Sequence, residues 1–205
     1  MPEDANTQWI WGTINQAPTI LSLLTPEYQT RLVQELYHEG NSNAPQWPGM
    51  YCWPEGFMRR FHFAGTGEHQ ITLTPTLVQI LSSSSGNFIT QVYVGRQFNM
   101  SGSAPRLGAD VPRWYGETIG FWDGETLIAY TANIQGWWMS HALPEFSSKM
   151  EAIEVYTRDA QNNLHLEITL YDPVAFTVPL RLDALYTYIK GPESELRYQW
   201  KECQQ

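Results

Sequence analysis

Two stretches of this chain hold side chains able to move a proton. The first is NIQGWWMSHALPEFSSKM, residues 133–150, where His141 follows Trp137, Trp138 and Met139. An imidazole with an ordinary pKa near about 6.5 exchanges protons close to neutrality, which makes His141 a candidate general acid or base. The second is MEAIEVYTR-DAQN-NLHLEITLY. A turn at DAQN predicts a hairpin of 151–157 with 164–170 that pairs Tyr156 with His165 and Glu154 with Glu167. One face then carries two carboxyls, a phenol and an imidazole, while Ile153, Val155, Leu166 and Ile168 share the other. Facing inward, Glu154 is a natural general base, its pKa raised by aromatic walls. Facing outward, the same row is an ordinary solvated surface. Both readings stand at the level of sequence.

Around these two candidates lie groups suited to holding a ligand. Tyr93, Arg96, Trp114 and Tyr115 flank the central hairpin and can supply hydrogen bonds and stacking. With Trp137, Trp138, Met139 and Tyr156 they form the expected substrate-binding set. A long connection rich in indoles is a lid over a cavity, a dimer contact or a local packing anchor. Other machinery is missing from the sequence. It has no G-x-S-x-G elbow, P-loop, G-x-G-x-x-G or H-E-x-x-H. The histidines at 38, 62, 69, 141 and 165 lack metal-ligand spacing. No metal and no cofactor is therefore expected.

Composition narrows the partner. Net charge is −9 and basic residues are scattered, which disfavours nucleic-acid backbones and anionic membranes. Charged residues make up only 16% while aromatics reach 14%, with nine Trp and eleven Tyr. That balance suits a cavity for a hydrophobic small molecule. The opening MPEDANTQWIWG lacks the basic-then-apolar order of a secretion signal. The expected compartment is the cytoplasm, or the periplasm if an export signal was removed upstream. Cys52 and Cys203 are too far apart in sequence for a Cys-x-x-Cys site.

The elements that must position these groups are mostly strands. TPEYQTRLVQELYHEG predicts a helix within 20–40, with Thr25 as N-cap, Pro26 in the first turn, Tyr28, Leu32 and Leu36 on one stripe, and Gly40 at the close. From residue 57 to 203 the period becomes two. QITLTPTLVQILSS reads as two strands around a proline break, and NFITQVYVGRQF as another. ETIGFW-DG-ETLIAYTA is the clearest hairpin, with Asp123-Gly124 suited to a type I′ turn. AFTVPLRLDALYTYI and ESELRYQWKEC read as closing strands. About nine strands with short turns and no interleaved helices imply one antiparallel, lipocalin-like barrel spanning the chain, residues 1–205, with one N-terminal helix.

The segment VPRWYGETIGFWDGETLIAYT resembles a large group of uncharacterised bacterial proteins, many of them exported, whose signature is P-T-Y-x-G-x-S-I-G-x-W-E-G-D-T-L-V-V. Pro112, Trp114 or Tyr115, Gly116, Ile119, Gly120, Trp122, Gly124, Thr126 and Leu127 fit it. CWPEGFM, IEVYTR, YDPVAFTVPL and YQWKECQ are similar to further segments of that group, so the likeness covers residues 50–205. It implies that Glu154 stands where the group has a Glu and that Cys52 and Cys203 are neighbours. It implies no activity. Val94 replaces an acid of the group, and Phe146 and Glu151 lie where the group often has a His. Polar groups are lost and aromatics gained.

The functional expectation is a cofactor-independent enzyme of isomerase, lyase or cyclase type. It would act on a terpenoid- or polyketide-like molecule in an aromatic-lined pocket, with His141 and Glu154 as the catalytic pair. A non-catalytic binder of the same ligands is the alternative, and an oligomeric interaction protein, such as a homodimer, the second.

Overall fold

The structure is a computed structural model in which residues 21–42, 56–58, 69–82, 88–97, 113–138 and 145–190 are described. It has helix α1 (Pro26–Ser42), then β1 (His69–Leu73), β2 (Leu77–Ser82), β3 (Ile89–Val94), β4 (Glu117–Asp123), β5 (Thr126–Ala132), β6 (Trp137–Trp138), β7 (Glu145–Phe146), β8 (Glu151–Arg158), β9 (Leu164–Tyr171) and β10 (Leu180–Tyr186). The fold is mainly β. Eight strands form one sheet in the order β1-β2-β3-β4-β5-β8-β9-β10, and β6 pairs with β7 apart from it. The large sheet curls into a half-barrel of lipocalin-like form. Its edge strands β1 and β10 meet through side chains: the His69 and Tyr186 rings stand edge to face with centroids 4.5 Å apart. Among the described residues, no helix is long and apolar enough to cross a membrane.

Neighbours in the sheet run antiparallel, except that β3 and β4 are parallel. The alternation of short strands and turns predicts antiparallel pairs throughout, and this pair departs from it. The connection from Gly95 to Gly116 exceeds the dozen or so residues a parallel crossover needs. The β4–β5 turn departs as well. Asp123 pairs with Thr126, so the two loop residues are Gly124 and Glu125, not Asp123 and Gly124. Only Gly124 has positive φ, +60°, the pattern of a type II′ turn, with glycine at its first central position.

Period-two alternation builds the interior. Ala152, Glu154 and Tyr156 of β8 and Leu166, Ile168 and Leu170 of β9 are buried, while Ile153, Glu167 and His165 are exposed. Each fully buried aliphatic side chain contributes roughly 1.5–3 kcal/mol. Helix α1 covers part of this core with Tyr28 and Leu32. Thr25 takes the N-cap position, since its carbonyl accepts the Gln29 N–H at 2.9 Å. Its hydroxyl, however, donates to the Val174 carbonyl at 2.8 Å, which ties the helix to the β9–β10 connection. The helix runs through Gly40 to Ser42, past the expected stop. The expected strand ESELRYQWKEC, and both cysteines, lie outside the described residues.

Candidate functional site

A cleft opens where the two flanks of the half-barrel approach each other. It is lined by His69, Ile71, Ile80, Ser82, Phe88 and Thr90 from the β1–β3 side and by Tyr156, Leu164, Leu166 and Tyr186 from the β8–β10 side. Strand register explains the convergence. His69 pairs with Ser82 and Ile71 with Ile80 across β1–β2, and Tyr156 pairs with Leu166 across β8–β9. No Lys, Arg, Asp or Glu stands among its lining residues. Burial pushes the His69 imidazole down to about 4, so the ring is neutral at physiological pH. The cavity measures about 30 Å³, room for two or so waters when each needs roughly 10–15 Å³.

Behind the Tyr156 wall lies a row of buried polar groups. The Tyr156 hydroxyl donates to Glu154 Oε2 at 2.5 Å, and the Thr131 hydroxyl donates to Glu154 Oε1 at 3.1 Å. Thr118 and Thr131 Oγ1 are 2.8 Å apart. A hydroxyl carries one proton, so with Thr131 committed to Glu154, Thr118 is the donor of that pair. Glu154, Thr131, Thr118 and Tyr156 are all buried, Glu154 completely. The carboxyl is thus hydrogen-bonded to the cleft residue Tyr156.

The hairpin places these groups by a register that differs by one residue from the expected one. Arg158 pairs with Leu164, which leaves a five-residue loop, Asp159–Asn163, instead of the four of DAQN. Asp159 Oδ1 accepts from the backbone N–H of Gln161 and Asn163, and Asn162 adopts positive φ, +66°. A one-residue slip moves every side chain of one strand relative to its partner. Tyr156 therefore faces Leu166 instead of His165, and Glu154 faces Ile168 instead of Glu167. Glu154 and Tyr156 go inside, and His165 stays exposed beside Asp159 at 3.2 Å. The polar face that sequence reasoning drew does not exist as one face.

The other expected site residues scatter. Tyr115 stands edge to face with the cleft residue Phe88, centroids 5.0 Å apart. Trp114 packs on Trp137 at 5.0 Å and Trp137 on Trp138 at 4.6 Å, and none of the three lines the cleft. Trp137 packs against the core, and Trp138 donates its indole N–H to Glu35 on α1. Within the described residues Trp137 and Trp138 thus pack on the chain itself, away from the cleft lining. Arg96 lies over the Tyr93 ring, 4.0 Å from its centroid, away from the cleft lining. Met139 and His141 lie outside the described residues. Of the cleft residues sequence reasoning named only Tyr156, and it missed the polar ones, His69, Ser82 and Thr90, together with the apolar lining. His69 was weighed there only as a metal ligand. The available signal was its place one strand period from Ile71, opposite Ser82.

Fold and site together define a curled-sheet β protein with a small, uncharged, largely apolar cleft backed by a buried carboxyl. Compared with family models, with curated proteins and with solved structures, the chain finds no match. Among the described residues, no cluster of His, Cys, Asp or Glu is arranged to hold a metal ion.

Proposed function

We propose that the cleft binds a compact, uncharged, hydrophobic molecule and that Tyr156, backed by Glu154, transfers a proton with it, without a cofactor. The carrying observation is the Tyr156–Glu154 hydrogen bond, which joins a wholly buried carboxyl to a residue of an uncharged, largely apolar cleft. As a substrate proton reaches the phenol oxygen, the phenol's own proton passes to Glu154, and the reverse step returns it. Neutral His69 can donate or accept a hydrogen bond to orient the ligand. The absence of charged lining groups favours a neutral ligand, since a buried ion would lack a partner. At about 30 Å³ the cavity takes a single-ring compound, or one end of a longer terpenoid or polyketide, only once the His69–Tyr186 contact parts.

The test uses a monocyclic enone in heavy water. Intrinsic fluorescence measures its binding, and proton NMR measures exchange at the carbon next to the carbonyl. Tyr156→Phe and Glu154→Gln should keep binding within a few-fold and lose exchange. Ile80→Trp, which fills the cleft, should lose both. Binding without exchange in the native protein would instead support the carrier reading. Absence of binding across neutral single-ring compounds would remove the site.

A further inference from the structure

A second polar cluster lies where α1 meets the β6–β7 hairpin. Glu35, only 7% exposed, accepts the Trp138 indole N–H through Oε1 at 2.5 Å. Its other oxygen, Oε2, is buried and meets no N–H or O–H donor. Glu145 pairs with Trp138 across β6–β7, so both ends of one rung face the same helical turn. Arg31, one turn before Glu35, donates to Glu145 at 2.5 Å and to Glu27 at 2.7 Å. Its guanidinium is thus already divided between two carboxylates. An ionised Glu35 would place a third negative charge here, with an acceptor oxygen sealed from water and from donors. A protonated Glu35 removes both problems, because Oε2 becomes a donor and Glu145 is its acceptor. Burial, followed by the field and hydrogen bonding of Glu145, pushes the Glu35 carboxyl up to about 8, against the opposing pull of the Trp138 N–H and Arg31. Among the described residues, Tyr28 is a further titratable neighbour on this side of the helix; burial raises it, and it stays neutral in that range.

We infer that Glu35 carries a proton that it donates as a hydrogen bond to Glu145, and that this proton is a release switch for the clasp between α1 and Trp138. While it is held, Glu35 is a neutral acceptor for the indole and a donor to Glu145. When it leaves, two carboxylates face each other across the junction, and the solvent access that Glu35 then requires opens the Trp138 contact. The opening is local. Phe146 remains buried in the core, and Trp137 remains packed on Trp114.

The test follows two resonances in the folded full-length protein from pH 6 to 9.5: the Glu35 side-chain carboxyl carbon and the Trp138 indole N–H. The latter is assigned by its loss in Trp138→Phe. Both should move together with a midpoint near 8. Glu35→Gln keeps an acceptor for the indole and a donor for Glu145, so its indole resonance should stay clasped across the whole range. Glu145→Gln removes the like charge and releases Arg31 toward Glu35, so the midpoint should fall by at least one pH unit. A Glu35 carboxyl already ionised at pH 6 would overturn the proposal. So would an indole resonance that ignores Glu35's titration, or one that moves equally in Glu35→Gln.

Discussion

Two buried groups with opposite linkage predict an unusual pH–stability profile. Glu35 is raised from 4.5 to about 8 in the folded chain. Between those values the native state holds a proton that the unfolded state has released, so stability falls as pH rises. His69 is lowered from 6.5 to about 4. Between those values the unfolded state holds the extra proton, so stability rises with pH. Each slope is about 1.4 kcal/mol per pH unit at full development. Between pH 4.5 and 6.5 the two slopes oppose and nearly cancel, leaving a plateau. Above 6.5, of the two, Glu35 alone acts, and ~2 kcal/mol should be lost by about pH 8, after which the curve flattens. Urea unfolding at half-unit pH intervals from 5 to 9 measures this directly. Glu35→Gln should abolish the loss above 6.5 and expose the His69 slope below it. His69→Phe should turn the plateau into a continuous decline from pH 5 to 8. The double variant should be nearly flat. A native profile that is level from 6.5 to 8, or variants that leave the slopes in place, would refute the linkage argument and the burial that motivates it.

Two further predictions concern packing. A Cβ added at Gly120 would lie 2.6 Å from Val92 Cγ1 and 2.8 Å from the Ile128 carbonyl oxygen, so Gly120→Ala must push β4 away from both neighbours. It should cost about 1–3 kcal/mol in urea unfolding, and a neutral result would mean that β3 and β4 do not sit as described. Phe57, which belongs to none of the named strands, is fully buried in the core. Phe57→Ala should cost roughly 3–5 kcal/mol, whereas a peripheral turn would lose under 1.

Element types were legible because period alone decides them. Tyr28 and Leu32 recur at helical spacing and are buried, and the alternation in EAIEVYTR and LHLEITLY marks two strands. Register was less legible, since it depends on loop length, and the Asp159 loop is set by bonds from its side chain to the Gln161 and Asn163 amides. Hydrophobic periodicity does not count such bonds. One residue of error there drew Glu154 beside Glu167, when its cross-strand neighbour is Ile168. Glu35 escaped notice for a different reason. It sits beside the Tyr28–Leu32–Leu36 stripe, and its partner Trp138 is 103 residues away. Contacts of that range follow from the fold and leave no local pattern. The same holds for the cleft, whose two walls come from opposite ends of the strand order.

That origin bears on how the cleft works. Backbone pairing ends at β1 and β10 among the described residues, and the two edges meet through the His69 and Tyr186 rings. A junction made of side chains yields more readily than a ladder of backbone hydrogen bonds, because a ring can change rotamer without unpairing a strand. On the proposed reading, the cavity of about 30 Å³ must widen to take a ring, and the His69–Tyr186 contact is where side chains alone would have to give way. The Glu154 row lies on the opposite kind of support. Thr118, Thr131, Glu154 and Tyr156 stand on β4, β5 and β8, adjacent strands in continuous register. A proton-transfer group benefits from that rigidity, since its geometry must be held within a fraction of an ångström while the ligand side adapts. On the proposed reading, the half-barrel sets Tyr156, held through Glu154 by paired strands, against the side-chain junction of His69 and Tyr186.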